Sequence, residues 1–166
     1  MEIKVLSVFR DLSDKTMKTI RNEADRANLI ERLNKLTGNE ERLWGKMTVN
    51  QMLSHLVQAG EMPFGHELKN QSNFMSKNII KPLVLYVLPM PKEVKTTPDM
   101  NQQENGRKPL EFVADKLKVI DLTEKIGTLA ENTECREHPF FGPMNAKEWA
   151  IIAYKHTDHH LKQFGV

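Results

Sequence analysis

The chain has 166 residues, 28% of them charged, and a formal net charge of +2. That length suits one domain with a sizeable core. The near balance of charge gives no strong field for nucleic acid or a membrane, and no Arg/Lys stripe interleaves with aromatics, so neither partner is expected. Cys135 is the only cysteine, which excludes an intrachain disulfide and points to a reduced, cytoplasmic setting.

In chain order, residues 1–20 read as an N-terminal arm or short strand, from the alternation of Ile3, Val5 and Val8. The stretch is broken by charge and does not read as a signal peptide. Residues 21–166 read as the domain proper. A first helix is expected from Asn22 to Leu36, with Ala27, Ile30, Leu33 and Leu36 at helical spacing and a stop at Thr37-Gly38-Asn39. Thr48-Val49-Asn50-Gln51 is a capping box, so a second helix starts there and runs to about Gly60, with Val49, Met52, Leu53 and Leu56 as its apolar stripe.

A third helix is expected over about 73–88, kinked at Pro82. Its apolar run is too short to span a bilayer and reads as a buried helix, with an interfacial helix as the alternative. Residues 91–108 form a long connection rich in Pro, Asn, Gln and charge, the kind that is often functional. A fourth helix is expected from about Pro109 to Glu131, carrying Phe112, Leu117, Ile120, Ile126 and Leu129. The last helix opens on a second capping box, Asn145-Ala146-Lys147-Glu148, and continues to about Phe164. Long amphipathic helices with little strand predict an all-α fold, a four-helix bundle with an additional N-terminal element.

The chemistry concentrates in the last helix. His156 and His160 are four residues apart, so both imidazoles leave one helix face about one turn apart. They continue an inward stripe of Trp149, Ile152, Ala153 and Phe164, where two ionisable groups need a partner or a role. His55, near the inner face of the second helix, is the candidate third ligand. Three neutral imidazoles with open positions suit a divalent transition ion, which lowers the pKa of its water or of a bound thiol. The plainer alternative is a set of hydrogen-bonded core histidines. His159 is about 60° around the helix from His156 and about 100° from His160, which places it at the rim.

These residues carry a resemblance. His156-Thr157-Asp158-His159-His160-Leu161-Lys162-Gln163 and Met47-Thr48-Val49-Asn50-Gln51-Met52-Leu53-Ser54-His55-Leu56 resemble the DinB-like metalloprotein superfamily, also known as the YfiT-like metal-dependent hydrolases. His138-Pro139-Phe140-Phe141-Gly142-Pro143 followed by Trp149 is similar to a subgroup of that superfamily known only as a domain of unknown function. The resemblance implies an up-down-down-up bundle and one divalent metal (Zn, Ni, Fe or Mn) held by His55, His156 and His160. It also implies a homodimer and transfer or hydrolysis chemistry on a small molecule, a low-molecular-weight thiol among the candidates. The alternative function is a dimeric module that binds a metal or ligand without turnover.

Other residues complete the expected site. Gln163, one turn beyond His160, is placed to orient a ligand imidazole or a bound water, or else to be a surface amide. His138 reads as a cap of the turn before the last helix, and Trp149, with Phe140 and Phe141, as packing at the bundle end that also walls a pocket. Asp158 and His66 read as solvated, Cys135 as an incidental thiol, and Glu61 as lying off the ligand face. No catalytic residue is assigned.

Overall fold

The computed structural model describes residues 17–66, 68–92 and 97–166. The described residues are helical and contain no strand, only an isolated antiparallel bridge between His138 and Gly142. The described residues are therefore all-α, as expected. Ile3, Val5 and Val8, which carried the expectation of an arm or strand, lie outside the described residues. Ile20, just before the first helix, is fully buried, and its backbone N–H reaches the Ala150 carbonyl.

Helix α1 spans Glu23–Lys35. Asn22 caps it by accepting from the Asp25 N–H, and Glu23 and Asp25 add negative charge at the positive end of its dipole. Its buried residues are Leu29 and Leu33, with Leu36 just beyond, while Ala27 is exposed. The inward stripe thus starts at Leu29; alanine is too small to reveal a face by its identity.

Helix α2 spans Val49–Glu61 and opens on the expected capping box, with the Thr48 hydroxyl accepting from the Gln51 N–H and the Gln51 side chain from the Thr48 N–H. Val49, Met52, Leu53 and Leu56 are all buried. A single 3-10 turn, Met62–Phe64, ends the helix at Gly65, whose φ of 119° suits a residue without a Cβ.

Residues 74–87 form helix α3, which contains two wide π turns, Ser76–Ile80 and Leu83–Val87, on either side of Lys81 and Pro82. The expected kink at Pro82 takes this form: proline offers no N–H, and the bonding is displaced to the wider register. The expectation of a buried helix fails. Leu85 is buried, but Leu83, Tyr86, Val87 and Leu88 are exposed.

Helix α4 spans Phe112–Gly127, capped by the Glu111 carboxylate, which accepts from the Val113 and Ala114 N–H groups. Its inward stripe is Asp115, Val119, Leu122 and Ile126, spaced four, three and four. Leu117, expected in the core, is exposed. Helix α5 spans Ala146–Gln163 and has the expected capping box of Asn145 and Glu148.

The long helices α1, α2, α4 and α5 share one core. α4 packs on α1, α2 and α5, and α5 also touches α1 and α2. Gly127 permits the closest approach: a Cβ there would lie 2.6 Å from the Ile20 carbonyl oxygen and 2.8 Å from Arg26 Cδ. On the far side of the core, Arg32 of α1 pairs with Asp158 of α5 at 2.7 Å.

The connection before α4 is held down by polar side chains. Arg107 donates to the Ser54 hydroxyl at 2.9 Å and to the Asp115 carboxylate at 2.8 Å. Gln58 donates to the Asp99 carbonyl, while its own side-chain oxygen accepts from Arg107 N–H and from Gln102. Residues 98–110 are therefore fastened over α2, beside His55, by bonds that leave few buried groups unpaired.

Candidate metal centre

His55 comes from the middle of α2, and His156 and His160 from the last turns of α5. The contact between these two helices brings the three rings together. The Nε2 atoms of His55 and His156 are 3.0 Å apart, and those of His156 and His160 are 3.1 Å apart. The rings meet edge to face, with centroids 4.7 to 5.0 Å apart. His55 is 8% exposed and His160 7%, whereas His156 retains more surface. They are the one group of three or more metal-competent side chains among the described residues.

The protonation of His160 follows from its neighbours. The Gln163 amide nitrogen lies 2.8 Å from the Trp44 carbonyl, which can only accept, so the Gln163 oxygen faces His160. That oxygen is 2.9 Å from His160 Nδ1, which must then carry the proton. The Nε2 lone pair of His160 is left pointing at the centre of the triad. Gly45 makes the arrangement possible. A Cβ there would sit 2.6 Å from the Gln163 amide nitrogen, and its φ of 76° is one that other residues rarely adopt.

His55 Nδ1 is buried and has no hydrogen-bond partner. The Met100 backbone lies near enough to favour the protonated ring, but without the geometry of a formed bond. His156 Nε2 stands between its two neighbours. One N–H there can donate well to only one of them, so as a hydrogen-bonded cluster the triad leaves a buried acceptor without a good partner.

Burial keeps these rings neutral. It pushes His55 down to about 4, with the His159 charge adding to the effect against the opposing Met100 backbone. His160 is pushed to about 3, by burial first and then by His55, with Gln163 opposing. His156 lies well below its usual value, through burial and then the neighbouring histidines. Neutral imidazoles near pH 7 are the form that binds metal.

Two of the three donor separations fit a metal ion on geometry, and all three nitrogens lie within 4.8 Å of one another. With metal–nitrogen bonds of about 2.0–2.1 Å, ligand nitrogens lie roughly 2.9 Å apart at a right angle and roughly 3.4 Å apart at the tetrahedral angle. The observed 3.0 and 3.1 Å fall between these values. Three protein ligands would leave coordination positions for water or substrate on an ion held there, as reactive sites require.

The remaining expected residues surround the triad unequally. His159 is not one of the three: its ring lies 5.1 Å from that of His160 and 5.8 Å from Trp44, partly exposed, with burial lowering its pKa. It lines a pocket of about 220 Å³ together with Trp44, Met90, Lys92, Tyr154 and Lys162. Asp158, read from sequence as solvated, is instead paired to both Arg32 and Lys162 at 2.7 Å.

His138 stands apart from the triad. Its Nδ1 accepts from the backbone N–H groups of Phe140 and Phe141, and its ring stacks on Phe141 and leans on Trp149. It fixes the turn before α5, and burial lowers its pKa to about 4. Trp149 is buried at that end of the core, with its indole N–H unpaired. Cys135 and His66 line a separate open cavity of about 830 Å³, where burial raises the Cys135 thiol. Trp44 and Met100 escaped the sequence reading. For Trp44 a signal existed, an aromatic beside a turn glycine in a short connection; for Met100 there was none.

A family model described as "Protein of unknown function (DUF1569)" matches residues 13–165. No curated protein and no solved structure matches the chain.

Proposed function

From the premise that the chain belongs to the DUF1569 family, we propose that it is a metal-dependent protein of the DinB-like type, its helices α1, α2, α4 and α5 arranged as an up-down-down-up bundle around one divalent transition ion. The observation that carries this reading is the convergence of three neutral imidazoles, His55 and His160 buried and His156 partly so, with the His160 lone pair fixed inward by Gln163. His55, His156 and His160 hold the ion. An ion bound there supplies Lewis acidity for a small thiol or a water molecule, so the reaction class is group transfer or hydrolysis.

The protein's own groups prepare that chemistry. Burial keeps His55 and His160 neutral, and Gln163 holds the His160 proton on Nδ1, away from the triad. Gln163 and the Trp44 carbonyl set the orientation of His160, while Arg107 and Gln58 hold the connection that carries Met100 against α2. The partial exposure of His156 and the pocket beside His159 give the side from which a small substrate approaches. A homodimer in a reduced cytoplasmic compartment completes the proposal, in keeping with the single thiol.

The test is metal content by plasma mass spectrometry on untagged protein, beside the His156→Ala/His160→Ala double variant. About one equivalent of a transition metal, lost in the variant, is the expected result. No metal in either protein after incubation with Zn²⁺, Ni²⁺, Mn²⁺ and Fe²⁺ refutes the reading. Metal without turnover of any thiol conjugate or ester favours a binding module instead.

A further inference from the structure

One buried nitrogen of the triad lacks a partner. His55 Nδ1 has no hydrogen bond, while Nε2 of the same ring is turned to His156 at 3.0 Å. The group placed to serve Nδ1 is the Met100 carbonyl. The Met100 backbone favours the protonated ring, which only an accepting oxygen does.

Met100 closes the 3-10 turn Pro98–Met100, and its side chain is buried in the core. The residues of α2 that flank His55 hold both ends of the segment around that turn. Gln58 donates to the Asp99 carbonyl at 2.8 Å and accepts from the Arg107 N–H at 3.0 Å. Ser54 donates to the Arg107 carbonyl at 2.7 Å and accepts from its guanidinium at 2.9 Å. Ser54 and Gln58 share a helix face by their i, i+4 spacing. Within the segment, the N–H groups of Met100, Asn101, Glu104, Asn105 and Gly106 are bonded to the carbonyls of Thr97, Pro98 and Asn101. The segment therefore carries the Met100 carbonyl as one piece.

An ion on His55 Nε2 takes the lone pair of that nitrogen and leaves the ring proton on Nδ1, which then needs a buried acceptor. Without an ion, the ring can carry its proton on Nε2, toward His156. Nδ1 and the Met100 carbonyl are then two acceptors with no proton between them. A bond from Nδ1 to Met100 thus contributes most when Nε2 is a ligand.

Resting on the metal reading, we propose that the Met100 carbonyl is the positioning group for His55, and that seating of residues 97–107 on α2 is linked to the binding of a divalent transition ion by the triad. Linkage is reciprocal: what the seated segment adds to ion affinity, the ion adds to the seating of the segment.

The experiment is hydrogen exchange of the full chain by NMR, metal-free and zinc-saturated, with zinc affinity by chelator competition. Zinc should slow exchange of the Met100, Asn101, Glu104, Asn105 and Gly106 amides about tenfold. The Thr37 and Gly38 amides, held by Glu40 in another connection, should be unchanged. Gln58→Met keeps the volume, removes the bonds to Asp99 and Arg107, and should bind zinc about tenfold more weakly. Pro98→Gly, at an exposed position, loosens the turn and should weaken zinc binding about two- to fivefold. It carries the affinity test if circular dichroism shows the Gln58 variant unfolded. A segment with only a structural role would lower the melting temperature of these variants and leave zinc affinity unchanged. Zinc binding without slower exchange at these amides, or folded variants with wild-type affinity, overturns the proposal and leaves the metal reading standing. No zinc binding by the wild type overturns both.

Discussion

Replacing Gln163 with leucine separates the orienting of His160 from the mere filling of space. The side chain is 3% exposed and makes two bonds, one from His160 Nδ1–H at 2.9 Å and one to the Trp44 carbonyl at 2.8 Å. Leucine has nearly the same volume, so little cavity forms, but a buried donor and a buried acceptor lose their partners. Each costs about 1–3 kcal/mol, so we expect a loss of roughly 3 kcal/mol after the gain from leucine burial. For a domain of this size that lowers the melting temperature by roughly 6–12 °C. It also frees His160 to carry its proton on Nε2, which should weaken metal binding about 10- to 100-fold. Zinc affinity by chelator competition and the melting curve of the metal-free protein read the two effects separately. Gln163→Glu keeps an acceptor for His160 while losing the donor to Trp44, so it should melt lower yet retain more affinity than the leucine variant. A leucine variant that melts within about 2 °C of the wild type and binds zinc equally well would refute both the assigned tautomer and the orienting role.

The metal-free protein should lose stability as pH falls. The folded pKa values of His55, His138 and His160 are depressed to about 4, 4 and 3, below the unfolded value of 6.5, so their contribution is complete above pH 6.5 and disappears on the way down to about 4. At pH 5 each costs roughly 2 kcal/mol, and urea titrations at pH 7 and pH 5 that give equal midpoints would contradict this burial. Gly127→Ala places a Cβ 2.6 Å from the Ile20 carbonyl oxygen and should destabilise by about 1–3 kcal/mol; a variant as stable as the wild type, measured by denaturant unfolding, would show that the approach is looser than described. Asp115→Ala leaves Arg107 without its buried partner and should cost about 3 kcal/mol, with faster proteolysis between 98 and 110; unchanged melting would mean that the connection is held by other bonds.

How far the site was legible depended on whether its signal was local. The capping boxes at Thr48 and Asn145 work within four residues, so sequence reading placed the starts of α2 and α5 closely. The i, i+4 spacing of His156 and His160 is likewise a property of one helix, and it put both rings on one face. His55 was legible only as a residue near an inner face; the 3.0 Å approach to His156 comes from the packing of α2 against α5. The four-residue stretch from Gln102 to Asn105 gave no hint that Gln102 would be buried, because its partner Gln58 is 44 positions away.

By itself, then, the sequence determined that the long helices exist, the capping boxes of α2 and α5 and the ligand pair, but not the bounds of α4, expected over Pro109 to Glu131 and found over Phe112–Gly127 with Glu111 as its cap, since hydrogen bonds and side-chain periodicity within a helix involve near neighbours only. It did not determine which apolar residues are covered. Leu117 and the α3 row from Met75 to Val87 are as apolar as any core residue, yet no neighbouring helix covers them within the described residues. Burial depends on what the rest of the chain brings opposite a face, and the wide turns of α3 shift that face in a way no regular periodicity predicts. The tertiary structure also decided that Trp44 and Gly45 close over Gln163, and through it which nitrogen of His160 faces the triad.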